Sequence, residues 1–97
     1  MLKVGNYFFD GPFHDFMKLE DKPGVYVIVC HQPPFYIPVD CGESGNVRNC
    51  VTTHERVSLW RHNCAIGDLM VGGLYTTDGN KVEKELRSSI FFPCGHR

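Results

Sequence analysis

None of the five cysteines stands in a Cys-x-x-Cys pair, so neither a zinc ribbon nor a disulfide framework is indicated. Cys30, Cys41, Cys50, Cys64 and Cys94 are odd in number and widely spaced; the expectation is that most serve as small buried hydrophobes. Long apolar runs are also missing. None reaches the ~20 residues that span a bilayer, and Met1 to Asn6 holds no apolar core of signal-peptide length. A cytoplasmic protein of bacterial or phage type, without a membrane partner, is the expected class. Charge of one sign is lacking as well: the formal net charge is -1, whereas a dedicated nucleic-acid binder usually carries a clearly basic domain. Contact with nucleic acid therefore has to come from a local patch. Repeats, linkers and low-complexity segments are absent, so the 97 residues form one domain, 1–97, large enough for a modest core.

What is present is organised around the stretch from Asp40 to Arg56: the end of an apolar strand, a turn at Gly42-Glu43-Ser44-Gly45-Asn46, and a helix carrying polar groups. Ser44 and Asn46 are both suited to cap that helix. Within it Val47, Cys50, Val51 and His54 share one face by i, i+3, i+4, i+7 spacing. Upstream, Val25 to Cys30 is β-branched at most positions and reads as the clearest strand. His31-Gln32-Pro33-Pro34 turns the chain into a second strand, Phe35 to Cys41, giving a hairpin. Pro38 lacks a backbone donor, so that strand is bulged there or lies at an edge.

The first third is rich in aromatics (Tyr7, Phe8, Phe9, Phe13, Phe16). A short segment at residues 6–9 ends at Asp10-Gly11-Pro12, and Phe13, Phe16 and Met17 recur at helical spacing, predicting one or two turns before Pro23. Val57 to Cys64 extends the polar helix or begins another. Leu69 to Thr76 is a third strand, with Gly72-Gly73 marking a bulge or a close backbone approach. Lys81 to Ile90 is a final helix that turns Val82 and Leu86 inward. The fold class is α/β: a small three-stranded central sheet, a hairpin plus a third strand, flanked by helices.

Three landmarks in this order resemble the GIY-YIG nuclease superfamily. Gly24-Val25-Tyr26 stands where the family has its Gly-Ile-Tyr strand. Cys41 to Val47 looks like the end of the Tyr-Ile-Gly strand and the turn into the first family helix. Val82-Glu83-Lys84-Glu85-Leu86-Arg87, followed by Pro93-Cys94-Gly95, is similar to the helix bearing the metal-binding glutamate. The resemblance covers residues 20–95. It implies hydrolysis of DNA phosphodiesters with one divalent ion, magnesium or manganese, held by a glutamate. It also implies a tyrosine that activates water and an arginine that answers charge on the phosphoryl oxygens.

Residue by residue, the resemblance implies Tyr26 as the first family tyrosine and Glu83 as the metal ligand. It implies His54 as the histidine that restriction-enzyme members carry one turn beyond the arginine. The chain departs from the pattern elsewhere. The second tyrosine falls at Asp40, with Tyr36 an even offset away on the same expected sheet face. The arginine falls at Cys50, whose thiol carries no permanent positive charge. On a continuous helix Arg48 and Arg56 project elsewhere. The asparagine that some members carry falls near Gly95.

Each candidate has a plainer alternative. Tyr26 suits a buried strand whose hydroxyl meets a backbone group. Glu83 and Arg87 suit a surface i, i+4 pair. His54 suits a hydrogen-bonded core position, and Asp40 a local cap. Arg48, Arg56 and Arg61, with His54 and His62, form a cation-rich window for phosphate, with Trp60 either stacking on bases or buried. His62, Cys64, Cys94 and His96 would hold zinc only if their segments converged. Two functions follow: a metal-dependent DNA endonuclease, or a GIY-YIG-fold binding and interaction module without catalysis. For either, affinity for DNA alone is expected to be weak or non-specific, a partner protein supplying the rest.

Overall fold

The run from Val25 to Val29 sets the centre of the molecule, because β-branched side chains pack well on a pleated surface buried on both sides. The structure, a computed structural model, describes residues 1–94. In chain order the elements are β1 (Leu2–Val4), β2 (Tyr7–Phe13), a 3-10 turn (Phe16–Lys18), β3 (Gly24–Gln32), β4 (Phe35–Ser44), α1 (Val47–Thr52), α2 (Val57–Asn63), β5 (Asp68–Tyr75) and α3 (Gly79–Ser89). They build one five-stranded sheet in the order β1-β2-β5-β3-β4, with every neighbouring pair antiparallel.

The class is α/β as expected, but the sheet has five strands rather than three. Gly5, in the left-handed region at φ +59°, turns Leu2–Val4 back onto Tyr7–Phe9 as an N-terminal hairpin. The strand then continues through Asp10-Gly11-Pro12, where a register irregularity against β5 absorbs the interruption. Phe13 therefore ends a strand rather than starting a helix. The expected helix shrinks to the 3-10 turn, where the Asp15 carboxylate accepts the Met17 amide at 2.9 Å.

The β3–β4 hairpin matches the sequence reading, and Pro38 lies at both of its anticipated settings. β4 is the outermost strand, and its register shifts between Asp40, opposite Ile28, and Pro38, opposite Val29, leaving Val39 as the extra residue. That bulge has a consequence for parity. A strand alternates faces every residue, so one inserted residue sends Tyr36 and Asp40 to opposite faces. The expectation that they share a face is corrected here: Tyr36 pairs with His31 and stacks on its ring, with centroids 4.3 Å apart.

The two faces are covered differently. On one, α3 lays Val82 and Leu86 over Leu2, Val4, Phe9, Val25, Val27 and Val29. Full burial of such side chains contributes about 1.5–3 kcal/mol each. On the other, the short helices α1 and α2 place Val47, Val51 and Trp60 over Tyr26, Ile28 and Val71. Past α3 the chain crosses from face to face. Phe92 packs with the α3 side, Cys94 packs with the α1/α2 side, and the Cys94 amide donates to the Val39 carbonyl at 3.0 Å. Among the described residues no helix is long and apolar enough to cross a membrane.

A disulfide joins Cys30 on β3 to Cys64 just past α2. This corrects the reading of those two residues as unpaired hydrophobes and removes Cys64 as a zinc ligand. Sequence spacing did not reveal it because the partners lie 34 residues apart and meet only through the fold. Cys41, Cys50 and Cys94 are free thiols. Gly95 and His96, invoked above, lie outside the described residues.

Candidate functional site

Tyr26 sits midway along a row of the sheet whose neighbours on both sides are glycines: Gly42 on β4 and Gly73 on β5. The row leaves room for the ring to lie down, since a Cβ at position 42 would overlap its hydroxyl and ring carbons. The hydroxyl thereby reaches the segment after α1, where His54 Nε2 lies 3.1 Å away. Only 2% of Tyr26 is exposed.

α1 ends early, and that brings the rest of the site together. Asn46 caps it by accepting the Asn49 amide at 3.0 Å. The hydroxyls of Thr52 and Thr53 then donate back to the carbonyls of Arg48 and Asn49, a pattern that competes with helix continuation. Thr53, His54, Glu55 and Arg56 make the turn into α2. His54 accordingly lies beyond the helix, and the helical extrapolation that aimed Arg56 away from Cys50 does not apply.

The turn fixes the His54 tautomer. The Arg56 backbone N–H donates to Nδ1 at 3.1 Å, so the neutral ring carries its proton on Nε2 and donates it to the Tyr26 oxygen. Burial first, and then the Arg56 charge, hold the imidazole below the ordinary histidine value. Burial, then Cys50 and Asp40, push the Tyr26 hydroxyl well above the usual tyrosine value, against an opposing pull from Arg56. Tyr26 thus remains a protonated donor.

Asp40, treated in the sequence as a local cap, is the hub of this face. It is fully buried. Its Oδ1 accepts the Cys41 amide at 2.7 Å, and its Oδ2 accepts the Trp60 indole N–H at 2.7 Å. Arg56 Nε lies 3.4 Å from Oδ2, an ion-pair distance without hydrogen-bond alignment, while Arg56 Nη1 donates to the Cys94 carbonyl at 3.1 Å. Trp60 is likewise fully buried and is no stacking surface; its ring packs beside His54 and Tyr26. The one available signal in the sequence was a carboxylate set inside an apolar strand, Ile37-Pro38-Val39-Asp40-Cys41, which demands a buried partner.

Glu83 is also buried, at 6% exposure, but belongs to the α3 layer. Arg87 Nε donates to its Oε2 at 2.8 Å, and Arg87 Nη2 reaches past the sheet edge to the Cys41 carbonyl at 2.5 Å, ending 3.8 Å from Asp40 Oδ1. Burial is the largest single influence on Arg87 and works against its charge, but the bond to Glu83 together with the nearby charges of Cys41, Glu83 and Asp40 holds the guanidinium above its ordinary value. Charges thus alternate along Arg56, Asp40, Arg87 and Glu83 around the rim of β4. The structure brings Tyr26, His54 and Arg56 together and links Glu83 to them through Asp40. Of the remaining cations, Arg48 lies 3.5 Å from Asp21, and Arg61 is exposed on α2. A cleft of about 300 Å³ lined by Tyr7, Glu85, Leu86 and Ser89 contains none of these groups.

Glu83 is the residue that would hold a magnesium or manganese ion. It supplies a hard oxygen, but a guanidinium already answers its charge. Among the described residues no three His, Cys, Asp or Glu side chains are grouped to hold an ion. No family model, curated protein or solved structure matches the chain.

Proposed function

We propose that this chain is a GIY-YIG-type binding module that takes a phosphodiester of DNA at Tyr26, His54 and Arg56 and does not hydrolyse it. The observation that carries this is that the site's acceptors are all committed. Asp40 is held by Trp60 and Arg56, Glu83 by Arg87, and the His54 Nδ1 lone pair by the Arg56 amide. What reaches the surface is a donor, the partly exposed guanidinium of Arg56, with the Tyr26 hydroxyl behind it. Donors recognise an anion, but activating water requires a base, and each candidate base is engaged. Because Tyr26 is nearly buried, a phosphate meets Arg56 first.

A second reading, the metal-dependent endonuclease, is favoured by one observation. Arg56 enters the Tyr26–His54 group and supplies the cation that Cys50 does not. One experiment separates the two: plasmid nicking with magnesium or manganese, run beside fluorescence anisotropy on a labelled DNA duplex at low salt. The binding module is expected to bind the duplex without nicking, and Arg56→Ala to lower the slope of log affinity against log salt by about 0.9. Nicking by the wild type that Glu83→Ala abolishes would establish the endonuclease instead. Absence of any DNA binding would overturn both.

A further inference from the structure

We infer that Asp40 is a positioning residue, holding Arg56 in the orientation that presents it to phosphate; the inference rests on the binding role of Arg56 proposed above. Asp40 is out of reach of any ligand, being fully buried, so its effect has to pass through its neighbours. The Val39 bulge turns it onto the α1/α2 face. There Trp60 and Cys41 fix its two oxygens at 2.7 Å each, which leaves the carboxylate no rotational freedom. Arg56 rests against that fixed charge at 3.4 Å and against the Cys94 carbonyl at 3.1 Å. A free arginine side chain samples many rotamers. Anchored on two sides, Arg56 has already lost that freedom before a ligand arrives, and binding costs less as a result. Arg56 Nε, buried and directed at no hydrogen-bond acceptor, is held there by charge.

Two measurements test this, and the first needs no DNA. In ¹⁵N-labelled protein the Arg56 side-chain Nε–H signal, assigned with Arg56→Lys, is expected to exchange slowly with solvent. Asp40→Asn is expected to bring it to the exchange rate of an exposed arginine while the backbone spectrum stays dispersed. Unchanged protection in Asp40→Asn would overturn the inference. If Asp40→Asn does not fold, Trp60→Phe carries the test: it removes one donor to Asp40 and keeps the ring. Protection is then expected to fall part of the way to that of an exposed arginine, because the loosened carboxylate holds Arg56 less firmly, and unchanged protection would overturn the inference. The second measurement is duplex affinity at low salt. Asp40→Asn is expected to weaken binding about as much as Arg56→Ala, each about tenfold, and the double variant no more than Arg56→Ala alone, because both changes act through one cation. Additive losses would show that Asp40 acts independently of Arg56. Slow exchange without DNA binding would leave Asp40 and Arg56 paired but overturn both the phosphate reading and the positioning role.

Discussion

The two faces of the sheet solve the same packing problem with opposite materials. Under α3 the core is mainly hydrocarbon from alternating positions of β3 together with Val82 and Leu86, with the Glu83–Arg87 pair as its described ionic contact. Under α1 and α2 the covering helices are six and seven residues long. Helices that short have little stability of their own. That face is held instead by a disulfide, a buried tryptophan and a buried carboxylate with two arginines beside it. Hydrocarbon packing is tolerant, since similar shapes substitute for one another. A buried ion network is not, because removing one partner strands the others. The difference assigns stability to one face and directional chemistry to the other.

Truncation at the centre of each face gives the largest test of that contrast. Trp60→Ala should cost about 3–5 kcal/mol through the cavity alone, and it also leaves Asp40 short of a donor, about 1–3 kcal/mol more. Leu86→Ala on the opposite face should cost about 2–5 kcal/mol, with no polar group stranded. Urea unfolding of both variants measures the difference; equal losses would mean that the Trp60–Asp40 bond adds nothing to packing.

Next in size is the disulfide. Opening the Cys30–Cys64 link, which closes a loop of 34 residues, should lower stability by about 2–4 kcal/mol. The paired substitution Cys30→Ala with Cys64→Ala, compared with reduced wild type, checks it. Hydrogen exchange should then rise in α2 and leave α3 unchanged. Exchange rising equally on both faces would show that the sheet couples them.

The smallest effect concerns pH. Folding holds His54 below its ordinary value of 6.5, so the unfolded chain takes up a proton there before the native one does. His54 therefore favours the folded state fully above pH 6.5, and that contribution is lost as pH falls from 6.5 towards the lowered native value. Urea midpoints of wild type and His54→Gln from pH 7.5 to 5 should converge toward the acid end. Parallel curves would remove His54 from the balance.

Much of the α3 face was legible in the sequence, because β-branched runs and helical spacing report burial directly. The glycine row was partly legible: Gly72-Gly73 signalled a close approach, and the fold shows Tyr26 lying between Gly42 and Gly73. β1 escaped because three residues carry too little pattern to register. Asp10-Gly11-Pro12 looked like a break because a bulge and a strand end use the same residues. The site was harder to read, for two local reasons. The end of α1 at Thr52 depends on threonine hydroxyls bonding back to the helix, and without that stop Arg56 projects the wrong way. The inserted residue at Val39 reverses the facing of everything before it, which separates Tyr36 from Asp40. Tyr26 and His54 enter as expectations through the resemblance, which needs neither feature. Asp40 enters only as a local cap, because a charge inside a strand shows its partners only once distant segments meet.

The crossing of residues 92–94 from one face to the other has a consequence for how the molecule behaves among copies of itself. β4 is the rim of the sheet, where unpaired backbone groups invite another chain to add a strand. Along its second half that invitation is withdrawn: the Cys94 amide takes the Val39 carbonyl, and Arg87 takes the Cys41 carbonyl. Along its first half Pro34 and Pro38 flank Phe35, Tyr36 and Ile37, and neither proline has a donor to offer. The same arginine that answers Glu83 and approaches Asp40 thus also guards the sheet against templated growth, and losing it would unmask the rim as well as disturb the ion network.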